Sequence, residues 1–163
     1  MLAADMDPMA PGFWFADRGV VIPAATDPAY FAALRSVCID KKVEVIIPLV
    51  DEELILATKL EELGIRVLCP EPAFVSLCLD KWLFSKRMMA ESIPCPRTVL
   101  LNDGPGDLAF PLVLKPRVGR GSRGLAYLDS MAALEIALAK NPRMGSDYIL
   151  QECVDGPEYT VSV

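Results

Sequence analysis

Four basic side chains, Lys115, Arg117, Arg120 and Arg123, fall within nine positions of a 163-residue chain whose formal net charge is −6. An apolar run ends at Lys115 and gives way to Gly119, Arg120, Gly121, Ser122, Arg123 and Gly124. Glycine lets backbone N–H groups come close to anionic oxygens, and the cations beside it supply charge. That combination is suited to holding a polyphosphate. A lysine at the end of a strand reads by itself as a solvated end. The glycine loop four residues later gives the pair a shared mechanism, with the Lys115 ammonium on phosphate and the loop around it. The spacing is neither a Walker loop, which would end in G-K-[ST], nor a dinucleotide fingerprint, which would open a helix. Here Leu125 to Leu128 read as a strand, so the loop is expected to be a flap between two strands, able to close over phosphates.

Three other groups of residues carry candidate chemistry. Asp80 is a natural N-cap, and Lys81 beside it is placed to reach a phosphate. Gln151, Glu152, Cys153, Val154, Asp155, Gly156, Pro157 and Glu158 join two strands and carry carboxylates. Asp51, Glu52 and Glu53 stand together at a helix start, where capping and the helix dipole account for them better than a metal does. The chain has no histidine, which removes serine–histidine triads and most zinc sites. Its five cysteines (Cys38, Cys69, Cys78, Cys95 and Cys153) include no C-x-x-C pair, so they read as reduced, mostly apolar thiols.

Composition restricts the rest. A hydrophobic fraction of 53% supports a packed core. The acidic balance argues against nucleic acid as a partner. No apolar run is long enough to span a membrane, and acids stand where a secretion signal would carry lysine or arginine, so a cytoplasmic location is expected.

The elements that must position these residues fall into two parts. The first is read as an α/β domain over residues 1–75: strands at Leu2–Ala4, Val20–Ile22, Val43–Leu49 and Ile65–Leu68 alternate with helices from Asp27 to Lys41 and from Asp51 to Leu63. Gly64 stops the second helix. Short connections between such elements imply a parallel sheet covered by helices. From about Pro72 the character changes, and residues 76–163 are read as the second domain: helices at Phe74–Leu79 and Asp80–Glu91 come first, then strands at Thr98–Leu101, Pro111–Lys115, Leu125–Leu128 and Tyr148–Glu152, and a helix over Ser130–Ala139. Asn102–Asp107 reads as a turn. A last strand, Glu158–Val163, alternates Tyr159, Val161 and Val163; left uncovered, such an edge is expected to self-associate.

These segments in this order resemble the ATP-grasp superfamily, and within it proteins like the large subunit of carbamoyl-phosphate synthase. The residues carrying the resemblance are Ile47 and Pro48 before Asp51–Leu54, Asp80 with Lys81, Ile93–Pro96, Phe110–Arg117, the Gly119–Gly124 loop, and Gln151 and Glu152 with Gly156, Glu158 and Thr160. The resemblance implies a Rossmann-like pre-ATP-grasp domain followed by the first lobe of an ATP-grasp domain, both incomplete at the chain ends. It implies that Lys81 and Lys115 contact phosphates and that Gly119, Arg120, Gly121, Ser122 and Gly124 form the flap. It further implies that Glu152 and the backbone of Val154 face adenine and that Glu158 binds ribose. ATP and Mg2+ would be the cofactors, the metal's ligands lying outside this chain, and an unidentified carboxylate the substrate. The implied reaction makes an acyl phosphate that an amine attacks, and the chain by itself is expected not to turn over ATP. The alternative is a non-catalytic nucleotide-binding or assembly module completed by a partner chain.

Overall fold

The computed structural model describes residues 1–157 and Tyr159. It divides into two compact units, Met1–Val75 and Ser76–Val163. No helix among the described residues is long and apolar enough to cross a membrane.

The first unit is built on parallel pairing. Strand β1 (Leu2–Asp5) pairs with β2 (Arg18–Val21), Leu2 opposite Arg18 and Asp5 opposite Val21. Strand β3 (Val45–Ile46) pairs with β4 (Arg66–Val67) in the same sense. Helices α1 (Tyr30–Asp40) and α2 (Asp51–Thr58) lie between these strands in the chain. Ile22, Tyr30, Leu34, Cys38, Ala57, Leu60, Ile65 and Val67 form the core. Tyr30, Leu34 and Cys38 repeat at a spacing of four, which puts them on one helical face.

Four of the differences from the sequence expectation have a clear local reason. Asp27 does not cap α1. Its carboxylate accepts from the Ala29 amide at 2.8 Å and its carbonyl from Tyr30 at 2.9 Å, so it closes a turn ahead of a helix that starts at Tyr30. The strand expected over Val43–Leu49 shrinks to Val45–Ile46. Val43 donates back to the Cys38 carbonyl, Pro48 has no N–H to give, and the Leu49 amide goes to Glu53. The apolar period through Leu63 is real, but α2 tightens after Thr58 into a 3-10 segment, Lys59–Leu63. Gly64, at φ 76°, then ends it in the left-handed conformation. Finally, Leu101 leaves its strand for a 3-10 turn, Leu101–Asp103.

The second unit is a four-stranded antiparallel sheet in the order β5-β8-β6-β7. Its strands are β5 (Thr98–Leu100), β6 (Leu112–Pro116), β7 (Ala126–Leu128) and β8 (Tyr148–Glu152). Helix α3 (Pro72–Leu79) contains the division between the units; α4 (Lys81–Ala90) and α5 (Met131–Lys140) belong to the second. The pleat separates two faces. Leu112, Leu114, Leu128 and Leu150 point to one, where they form a core with Leu134 of α5. Leu112, Leu114 and Leu150 are fully buried, and each such leucine contributes about 1.5–3 kcal/mol. The alternate residues Thr98, Gln151, Val113 and Lys115 point to the other. There Thr98 pairs with Gln151, and Gln151 pairs on its other side with Val113. The strand expected over Glu158–Val163 lies outside the described residues.

Candidate functional site

Strand β6 delivers Lys115 to the face of Gln151 and Thr98, two residues after Val113. Its ammonium donates to Gln151 Oε1 at 2.7 Å. Burial pushes the Lys115 ammonium below the usual lysine range, and the positive charge of Lys81 adds to the effect. The charge of Lys81, the other lysine expected at the phosphates, thus reaches Lys115.

Lys81 is the first residue of α4, and Asp80 caps that helix, accepting from the amides of Trp82 at 2.9 Å and Leu83 at 3.2 Å. The Asp80 carboxylate also receives a guanidinium. Arg117 Nε donates to Oδ1 at 3.2 Å and Nη2 to Oδ2 at 2.5 Å, a forked pair in which Asp80 is 13% and Arg117 25% exposed. Burial pushes the Asp80 carboxyl up, but Arg117 and the Leu83 and Trp82 amides outweigh it and hold it below the usual carboxylate range. The same pairing raises Arg117. The backbone completes the attachment. The Lys81 amide donates to the Arg117 carbonyl at 3.0 Å, and Lys81 Nζ reaches that carbonyl at 3.3 Å and the Gly119 carbonyl at 2.7 Å. The near root of the glycine loop is therefore fastened to the start of α4 by side chain and main chain alike.

Beyond that root the loop is exposed. Gly119, Gly121, Ser122 and Gly124 all have positive φ, at 137°, 65°, 55° and 72°. Three of these are glycines, which tolerate that conformation; Ser122 is a non-glycine residue held in it. The loop connects β6 and β7, which pair antiparallel with Leu114 opposite Ala126, so the strand–loop–strand form expected from sequence is present. Arg120 and Arg123 are exposed along it. A shallow cleft of about 360 Å³ is lined by Asp80, Pro116, Arg117, Val118, Asp147 and Tyr148. Neither lysine lines it, so the cleft lies beside the clamp and not where Lys115 points.

The residues expected to face adenine are separate from this cluster. Glu152 lies opposite Leu112, while Lys115 lies opposite Ile149, a separation of about 10 Å along β8 at strand rise. Glu152 Oε2 accepts from the Arg97 amide at 3.2 Å. Val154 follows the strand and is 67% exposed. Glu158 is outside the described residues. Of the acids at the start of α2, Glu53 behaves as a capping group: its Oε1 accepts from the Leu49 and Val50 amides at 2.6 and 3.1 Å, and Oε2 accepts from the Tyr30 hydroxyl at 2.5 Å. Among the described residues no group of three His, Cys, Asp or Glu side chains is placed to hold a metal ion.

Sequence reasoning missed Thr98 and Ser85, named Gln151 only within a link between strands and gave it no role beside Lys115, and took Arg117 only as loop charge. A signal for Gln151 was available. A lone amide follows the fully buried Ile149 and Leu150, and such a group needs partners.

Residues 78–163 match the family described as the ATP-grasp domain, and residues 1–68 match that described as the PylC-like, N-terminal domain. A D-alanine–D-alanine ligase from Polaromonas naphthalenivorans is 32% identical over 114 residues, covering 64% of this chain and 35% of that protein. The chain thus spans about a third of the length of the curated relatives it matches. Among solved structures, N5-carboxyaminoimidazole ribonucleotide synthetase from Thermotoga maritima superposes with a TM-score of 0.67 at 21% identity, over 94% of this chain and 39% of that one. The biotin carboxylase domain of Hydrogenobacter thermophilus 2-oxoglutarate carboxylase, solved with MgADP and bicarbonate, gives 0.71 at 18%, over 94% and 38%. At these identities the structural likeness is one of fold.

Proposed function

Because this chain belongs to the ATP-grasp family, we propose that its lysine cluster and glycine loop hold the phosphates of ATP in a ligase that joins a carboxylate to an amine. Its fold is a Rossmann-like pre-ATP-grasp domain with parallel pairing followed by the first lobe of the ATP-grasp domain. The observation that carries the proposal is that Lys81 Nζ bonds the Arg117 and Gly119 carbonyls, so it stands at the root of a loop with three positive-φ glycines that begins two residues after Lys115.

The chemistry follows from the charges. A lysine ammonium has three N–H donors, and Gln151 takes one of those on Lys115. The other two are available to phosphate oxygens. Desolvation strengthens their attraction for an anion. The loop amides add neutral donors, and the Asp80–Arg117 clamp keeps the loop's root from moving with its tip. In the proposed reaction the terminal phosphoryl group of ATP passes to a carboxylate oxygen and ADP leaves. The amine nitrogen then attacks the acyl carbon, and inorganic phosphate departs. Magnesium would offset phosphate charge in that transfer. The described residues include no group of three His, Cys, Asp or Glu side chains placed to hold it. Glu152 and the backbone of Val154 would face adenine, and Glu158 would bind ribose. The similarity to D-alanine–D-alanine ligases supports a carboxylate–amine ligation in general. The carbamoyl-phosphate-synthase-like version is a narrower form of the same proposal, and a cytoplasmic location is proposed with it.

Thermal melting of the purified chain with millimolar Mg-ATP, ADP and adenosine tests this reading. ATP and ADP should raise the melting temperature more than adenosine does, since a ligand stabilises the state that binds it. Lys115→Ala should remove most of the difference. An ATP effect equal to that of adenosine, or one undiminished in a Lys81→Ala, Lys115→Ala double variant, would overturn it.

A further inference from the structure

The Lys115 ammonium is held from one side by an amide whose orientation is itself determined. Thr98 Oγ1 has a single proton, and it donates it to the Pro96 carbonyl at 3.0 Å. The same oxygen must therefore accept from its other neighbours, Gln151 Nε2 at 2.8 Å and Ser85 Oγ at 3.1 Å. Ser85 and Thr98 are each only 4% exposed, so water does not offer them alternatives. Nε2 is thereby turned toward Thr98, and Oε1 toward Lys115. Three elements contribute to the chain: α4 through Ser85, β5 through Thr98 and β8 through Gln151.

The choice of an amide has an electrostatic consequence. A carboxylate at position 151 would give Lys115 the same hydrogen bond together with a full negative charge, and an incoming phosphate would have to compete with it. The neutral carbonyl oxygen of glutamine directs the ammonium and leaves its charge uncompensated. Resting on the reading of Lys115 as a phosphate ligand, we propose that Gln151 is its positioning residue: oriented by Thr98 and Ser85, it aims the ammonium at the nucleotide phosphates without neutralising it.

The test uses the full chain and four variants, with affinities for Mg-ATP and adenosine measured by calorimetry and stability by melting. Gln151→Ala should weaken ATP about 10-fold, the range of a hydrogen bond to a charged group, and leave adenosine unchanged. Thr98→Val, which removes the acceptor for Nε2, should weaken ATP in the same direction by less. Gln151→Glu is nearly isosteric and keeps the fold measurable if Gln151→Ala does not fold. It should weaken ATP as well, and the alkaline loss of ATP binding should move to higher pH, because a carboxylate beside Lys115 stabilises its charged form against Lys81. A purely structural role would lower melting temperature and leave both the ATP-to-adenosine ratio and the pH profile in place. Lys115→Ala separates the two levels of the argument. If it weakens ATP and the Gln151 variants do not, the positioning role is overturned and the phosphate site stands. If Lys115→Ala has no effect, the phosphate reading fails and the proposal falls with it.

Discussion

Glu53 in the first unit and Asp80 in the second both serve the start of a helix, but their partners differ in kind. Glu53 collects the Leu49 and Val50 amides and the Tyr30 hydroxyl, all neutral and all within its own unit. Burial and this acceptor together raise the Tyr30 hydroxyl well above the ordinary tyrosine range, so it stays a donor. Asp80 caps α4 with one oxygen and grips Arg117 with both. The first acid fixes a turn. The second joins a helix to the root of a loop that carries the candidate chemistry. The same local device is used for architecture in one unit and for placing a site in the other.

The largest effect should come from the architectural acid. Glu53→Ala leaves two amides and a phenol without their acceptor, and about 2–4 kcal/mol of stability should be lost in urea denaturation. ATP affinity measured well below the melting temperature should not change. A loss of ATP affinity comparable to that of Lys115→Ala would break the comparison, since it would make Glu53 part of the site.

Asp80→Asn sharpens it. Asparagine caps helices as well as aspartate does, so the substitution removes the charge pair and leaves the cap in place. The expected cost is about 1–2 kcal/mol, because the pair is partly shielded and Arg117 is left without its carboxylate. The pH dependence has a definite sign. Asp80 is depressed in the folded state, so its contribution is present above the unfolded carboxylate value of about 4 and is lost as pH falls through the lower folded one. The parent should therefore lose stability below about pH 4 more steeply than Asp80→Asn does. Equal acid limbs would mean that the clamp contributes nothing to folding.

What was legible in the sequence follows the same division. Lys81, Lys115 and the glycine loop could be read because charge and glycine are visible in the composition of a short window. The helix ends at Gly64 and Asp80 were visible because capping is a local property. The orientation of Gln151 was not, because it depends on Thr98, 53 residues away in the chain, and on Ser85 on a different helix. The grip of Asp80 on Arg117 spans 37 residues and was hidden for the same reason. Apolar period located the strands but overextended β3, since it carries no information about whether Glu53 will take an amide that the ladder would have used.

The smallest expected effect separates the two ends of the glycine loop. Gly121 and Gly124 have similar positive φ values, 65° and 72°, so alanine at either meets the same left-handed backbone, at about 1–2 kcal/mol. Their surroundings differ. A Cβ at 121 would meet nothing within 4 Å, whereas one at 124 would lie 3.1 Å from Pro116 Cγ and 3.3 Å from Tyr148 Oη. Pro116 directly follows Lys115, so any displacement there is passed to the ammonium. Gly124→Ala should therefore cost about 0.5 kcal/mol more than Gly121→Ala and should also weaken ATP, while Gly121→Ala should change affinity little. The two melting curves and two titrations decide whether the far end of the loop is seated against Pro116 and Tyr148 as firmly as Asp80 and Lys81 hold the near end. Identical behaviour of the two variants would leave the near root as the loop's one functional anchor.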